Sequence, residues 1–201
     1  MSHEITPSVI SSNKRMSYDG VTALLKEVDM DADEAFPLDP SYLPFQEMLL
    51  KMRTLSRLLR KKRIERGGLD FDFPESEVLF HPDGKIREIR NVIREESHKI
   101  IEDFMLAANE TVAEEYYWRD IPFLYRIHEK PDFDKWTELS HILSNFSIVL
   151  RAKDPDSIRP KALQKVLEEI KGKDEEAMLS TLILRSLKQA KYSTDCAEHF
   201  G

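Results

Sequence analysis

The chain has a single cysteine, Cys196, in 201 residues. It can form no internal disulfide and no cysteine-rich zinc site. Glycine is scarce too, with six in all, and Gly67-Gly68 is not followed by the Lys-Ser or Lys-Thr of a phosphate-cradling loop. No nucleophile elbow is present. The six histidines (His3, His81, His98, His128, His141, His199) make no i, i+4 pair with a glutamate between them, which excludes the helical zinc motif. No run of 18 or more apolar residues exists, and the opening MSHEITPSVISS lacks the basic-then-apolar order of a signal peptide. These absences predict a soluble, cytoplasmic protein with no membrane contact.

What is present is a chain with 41% hydrophobic and 33% charged residues, enough to bury a real core. The net charge of −7 argues against wrapping of nucleic acid by the whole surface, because counterion release needs clustered Lys and Arg. One cluster does exist. In RLLRKKRIER, Arg57 to Arg66, six of ten residues are basic and one is acidic. It reads either as a solvated helix C-terminus whose cations complement the dipole or as a phosphate-contacting patch.

Periodicity outlines the elements. Val9 and Ile10 suit a short strand, and a helix over 17–28 buries Val21, Leu24 and Leu25. After an acidic break, a helix over 44–63 spaces Met48, Met52, Leu55 and Leu59 by three or four, and Gly67-Gly68 stops it. Leu69, Phe71 and Phe73 alternate with Asp70 and Asp72 as on a strand. Glu77 to Phe80 and Lys85 to Ile89 form a hairpin around Pro82-Asp83-Gly84. A helix over 93–117 follows, then a strand over 122–127, helices over 133–145, 159–170 and 175–189, and a further strand over 146–150. The sum is an α+β chain, rich in helix, whose short strands have few neighbours and are marginal alone.

Two carboxylates on one strand face, Asp70 and Asp72, suit either a hard cation or plain solvation. In IEDFMLAANE, residues 101–110, the residues Ile101, Phe104, Met105, Ala108 and Val112 form one apolar stripe, with Lys99, Asp103, Glu110 and Glu114 on an opposing solvated face. Glu102 and Asn109, seven residues apart, fit neither and should meet a partner or a ligand.

Several stretches together resemble one family. Arg63-x-x-Arg66-Gly-Gly-Leu-Asp-Phe-Asp resembles the R-x-x-R-G-A-L-D-F segment of the ribonuclease II and ribonuclease R family, the RNB catalytic domain. IEDFMLAANE resembles its E-E-F-M-L-x-A-N helix, and Phe123 to Pro131 its P-F-L-Y-R-x-H-E-x-P stretch. Leu184 to Ser193, LRSLKQAKYS, with His199-Phe200-Gly201, resembles its L-R-S-M-K-Q-A-x-Y-S and G-H-F-G. The resemblance implies a Mg²⁺-dependent, processive 3′-to-5′ exoribonuclease that releases nucleoside 5′-monophosphates from single-stranded RNA. It implies that Tyr18 clamps the terminal nucleotide, that Phe71 stacks on the last bases and that Glu102 holds the terminal ribose and base. Arg63 and Arg66 would contact RNA, with Asn109, Arg185, Gln189 and Tyr192 in support. Stacking of this kind tolerates any base and contributes about 1–3 kcal/mol per base.

The departures from the family pattern are as informative. No D-x-x-x-x-x-D-x-D-D metal cluster occurs in the sequence, nor does the T-S-P-I-R-R motif, and Ser11 stands where the family usually has arginine. Two-metal hydrolysis needs both the ions and a cation on the developing charge. The expectation is therefore the central part of a single RNB domain over residues 1–201. It would hold the 3′ end of single-stranded RNA, lack a tightly bound Mg²⁺ and be inactive alone. Strands whose partners belong to missing parts of the domain would invite self-association. A non-catalytic RNA-binding module and a helical protein-interaction domain are the alternatives.

Overall fold

The computed structural model describes residues 3–29, 38–69, 75–150, 160–197 and 199. The elements run α1 (Tyr18–Asp29), a 3-10 segment (Pro40–Phe45), α2 (Gln46–Arg66), β1 (Glu75–Phe80), β2 (Ile86–Val92), α3 (Glu96–Trp118), β3 (Tyr125–Ile127), α4 (Phe133–Asn145), α5 (Pro160–Ile170), α6 (Glu176–Ser186) and β4 (Lys191–Ser193). The helix-rich α+β expectation holds. The strands form two separate antiparallel ladders, β1 with β2 and β3 with β4. The expected strand through Phe71 lies outside the described residues. The chain divides into one unit of residues 1–55 with 94–101 and another of 56–93 with 102–201.

In the first unit α1 lies against the 3-10 segment. Ala23, Leu24, Leu25, Tyr42, Leu49 and Ile100 are its buried apolar residues. Gly20 is required here for closeness: a Cβ on it would stand 2.3 Å from Tyr42 Cε2. The Tyr42 hydroxyl accepts from the Ser17 backbone N–H at 3.0 Å, which holds the phenol pKa below its usual value. Val9 and Ile10 are almost wholly exposed and form no strand. β-Branched residues favour a pleated surface only where a neighbouring strand supplies the ladder, and no described strand does so.

The second unit carries the main core. On α4, Trp136, Leu139 and Leu143 recur at i, i+3, i+7, and on α5 Leu163, Val166 and Ile170 do the same. They close with Leu179 and Ile183 of α6 around a cluster that includes Ile148. Asp132 caps α4 by accepting from Asp134 N–H at 3.0 Å. The strand expected over 146–150 is absent. Ser147 takes a left-handed φ of 61°, and Ile148 N–H returns to Leu143 C=O at 3.0 Å, so the segment ends α4 and tucks Ile148 into the core.

Gly67 ends α2 as anticipated. Its φ of 105° is left-handed, and Gly67 and Gly68 donate back to Ile64 and Arg63 at 2.9 and 3.0 Å. The hairpin forms around Pro82-Asp83-Gly84 with Val78 opposite Ile89 and Phe80 opposite Ile86. Its apolar face, Val78, Phe80, Ile86 and Ile89, is exposed.

Candidate functional site

Two arrangements carry site chemistry, one in each unit. The first unit has a cavity of about 590 Å³ lined by Tyr18, Met48, Met52, Ser97, His98 and Ile101 among others. Its walls are mostly apolar, with Ser17, Asp19, Ser97 and His98 as the polar members. Tyr18, on the first residue of α1, stacks on His98 with ring centroids 4.1 Å apart and planes within 16°. The Tyr18 side chain is still 46% exposed, so much of its ring surface is available. One turn along α1 from Tyr18, Thr22 shares a buried hydroxyl hydrogen bond with Ser97 at 2.8 Å, and Lys26 pairs with Glu95 at 3.0 Å. Flat rings over methionine walls are a surface suited to a planar, sequence-tolerant ligand.

In the second unit, ion pairs link α2 to α3. Ser56, Arg60 and Arg63 stand at i, i+4 and i+7 and so share one face of α2. All three meet Asp103. Its carboxylate accepts from Ser56 Oγ at 2.6 Å and lies 3.2 Å from Arg60 Nη2 and 3.7 Å from Arg63 Nη2. Asp103 was expected on a solvated face, yet it is buried. Ionised carboxylates tolerate burial when cations and donors surround them, and α2 supplies three.

The same helix face corrects the expected apolar stripe. Ile101, Met105 and Ala108 are exposed, whereas Ile100 and Asp103 are buried. Glu102 is half-buried, with Arg63 Nη2 3.8 Å from its Oε1, and Asn109 is exposed rather than wedged between apolar rows. Arg66 forks onto Glu110 at 2.8 and 3.2 Å. Arg63 itself is buried, and its Nε and Nη2 have no hydrogen-bond partner among the described residues. A small cavity of about 150 Å³ opens beside Arg63, Arg66, Asp103 and Glu110. The basic run of α2 is thus neither a free helix end nor an open patch along its whole length. Arg60, Arg63 and Arg66 face carboxylates of α3, while Lys61 stands 4.0 Å from Glu65 of its own helix.

The supporting residues lie elsewhere in the second unit. Arg185 is exposed and lines a cavity of about 250 Å³ with Glu138 and Leu139, Gln189 is exposed, and Tyr192 of β4 pairs with Arg126 of β3. Next to that ladder Lys191 binds Glu129, holding its carboxyl below the usual range, with Lys188 at 3.5 Å. Phe71, Asp70 and Asp72 lie outside the described residues. Among the described residues no group of three or more His, Cys, Asp or Glu is placed to hold a metal ion.

Sequence reasoning did not single out His98 or the Ser56–Arg60–Arg63 face. The second was visible as an i, i+4, i+7 polar stripe running beside the apolar residues of α2. The first was not, because its partner ring is far away in the chain.

Both the motifs and the fold point to one class: residues 1–201 match the RNB domain, and the chain belongs to that family. It is 39% identical over 199 residues to ribonuclease R of Aquifex aeolicus, covering 99% of this chain and 27% of that protein. Ribonuclease R 1 of Lactococcus lactis is 35% identical over 201 residues, covering 100% and 24%. The structure is similar to Mycoplasma genitalium RNase R in complex with ribose methylated single-stranded RNA, with a TM-score of 0.78, 26% identity and coverage of 92% and 28%. The chain spans about a quarter of the length of the curated relatives it matches.

Proposed function

We propose that this chain is the RNA-holding section of a 3′-to-5′ hydrolytic exoribonuclease that releases nucleoside 5′-monophosphates from single-stranded RNA. The observation that carries the reading is the likeness, over 92% of the chain, to an RNase R whose structure contains single-stranded RNA. In this reading Tyr18 and Phe71 offer ring faces to bases, and Glu102 receives the terminal ribose through hydrogen bonds. Arg66 lies at the exposed end of the α2 basic face, where it exchanges Glu110 for a phosphate. Arg63, buried beside Glu102, acts by holding that carboxylate in place. Arg185, Gln189, Tyr192 and Asn109 support the channel wall.

The described residues do not fit the Mg²⁺ that the family resemblance implies, so no step is assigned to a metal here. With no D-x-x-x-x-x-D-x-D-D cluster in the sequence either, the chain in this reading holds RNA without cutting it.

The test is an anisotropy titration of 5′-fluorescein oligo(A) with the purified chain, repeated across salt concentrations and in the presence of Mg²⁺. Affinity should fall steeply with salt, and Phe71→Ala or Glu102→Ala should each weaken binding on the order of fivefold or more, the lower end of one stacked base. Salt-independent binding, or none, overturns the RNA reading. Stepwise shortening of the labelled strand on a gel overturns the claim of inactivity alone.

A further inference from the structure

His98 is the third residue of α3, and no step of the reading above uses it. Three observations give it a role. Its ring lies parallel to that of Tyr18 at 4.1 Å, a stacked arrangement rather than an edge contact. Its Nδ1 is sealed from solvent and has no hydrogen-bond partner among the described residues. The backbones that carry the two rings are braced together by the Thr22–Ser97 and Lys26–Glu95 contacts.

A buried ring nitrogen without a partner normally costs stability, so this imidazole is contributing its plane at that edge and not its polarity. The plane has a clear use. A half-exposed tyrosine is free to turn about two torsions, and each must be fixed when a base stacks on it. A second ring against one face removes that freedom in advance, while Tyr18 stays half-exposed and lines the cavity.

We propose that His98 is the positioning residue of the Tyr18 stacking platform: it backs one face of the phenol so that the opposite face receives a nucleobase in a three-layer stack. The proposal rests on the RNA reading, since the layer it adds is a base of single-stranded RNA. It requires a flat side chain at position 98 but not a polar one.

Binding of 5′-fluorescein oligo(A) to the full chain separates these requirements. His98→Leu keeps bulk and apolarity but loses the plane, and should weaken binding about fivefold or more, as Tyr18→Ala should. His98→Phe restores the plane and should bind within about twofold of the parent, a rescue that a merely structural role would not produce. An independent readout is the NMR shift of the Tyr18 ring protons in the unaltered chain. Those protons should move upfield as RNA is added, because a base then covers the open face.

Equal affinity of His98→Leu and the parent, with Tyr18→Ala weakened, overturns the proposal and leaves the RNA reading standing. Loss of binding in His98→Phe equal to that in His98→Leu also overturns it. Should His98→Leu fail to fold, the NMR titration decides, and an unmoved Tyr18 ring in RNA-saturated protein is the overturning result. A parent chain that binds no RNA removes the RNA reading and this proposal together.

Discussion

Two parts of the second unit join helices by opposite means. Between α4, α5 and α6 the contact is aliphatic and aromatic: Leu143, Leu163, Ile170 and Ile183 have no exposed surface at all. Between α2 and α3 it is ionic, with Asp103 enclosed by Ser56, Arg60 and Arg63 and flanked by Arg66–Glu110. An apolar contact is stabilised in proportion to the area it removes from water and depends little on which aliphatic residue fills each place. An ionic contact depends on every member being present, because any charge left behind is buried without a counter-charge. The first arrangement suits a scaffold. The second suits the fixed placing of Glu102 that the proposed RNA site requires.

The sharpest way to break the contrast is to delete one member on each side. Asp103→Ala leaves the buried Arg63 facing Glu102 at 3.8 Å without its second carboxylate, and should cost up to about 3–5 kcal/mol. Leu143→Ala should cost about 2–5 kcal/mol through lost burial and the cavity left behind. Urea midpoints measure both. The difference lies in rescue. Adding Arg63→Met to Asp103→Ala removes the under-compensated buried charge and should recover part of the loss, whereas no second deletion repairs Leu143→Ala. A double variant less stable than Asp103→Ala alone would mean that the seam is held by packing and not by charge.

A smaller effect is expected at the outer end of the same seam. Arg66 and Glu110 are both well exposed, so Glu110→Gln should cost only about 0.2–1 kcal/mol, and less as salt is raised. A loss as large as that of Asp103→Ala would place Glu110 inside the cooperative part of the array.

The contrast also explains what could be read without a structure. The helices α4, α5 and α6, the Gly67 stop and the Pro82-Asp83-Gly84 hairpin were legible because each follows from spacing or from a local turn. The ionic seam was not. Helical periodicity assigns Asp103 to a polar face, and it carries no information that another helix brings Ser56, Arg60 and Arg63 to that face. Ile148 was misplaced for a related reason: a β-favouring run was read as a strand, while the left-handed Ser147 turned it back onto α4. Glu102 stood out because it interrupted a pattern, but its neighbour Arg63 and the Tyr18–His98 pair depend on contacts between distant segments. The family resemblance supplied roles for single residues, and the structure adds what stands next to them.

The least effect expected concerns protons, and it arises outside both helix seams. The apolar core has nothing to titrate. His128, just after β3, has its ring centroid 4.2 Å from that of His199. Burial, and then the proximity of His199 and Arg126, pushes its pKa down to about 4 from 6.5, and burial with Arg126 lowers His199 as well. Between those values the unfolded chain binds the proton and the folded chain does not, so stability rises with pH there. The contribution is complete above about pH 6.5 and is lost as the pH falls toward 4. Glu129 is also held low, so it stays ionised at pH 5 and adds no slope above its ordinary range. The urea midpoint should therefore drop modestly from pH 7.5 to pH 5. In His128→Phe that drop should shrink, because only His199 still resists protonation. An undiminished drop in the variant would place the acid sensitivity outside the β3–β4 ladder.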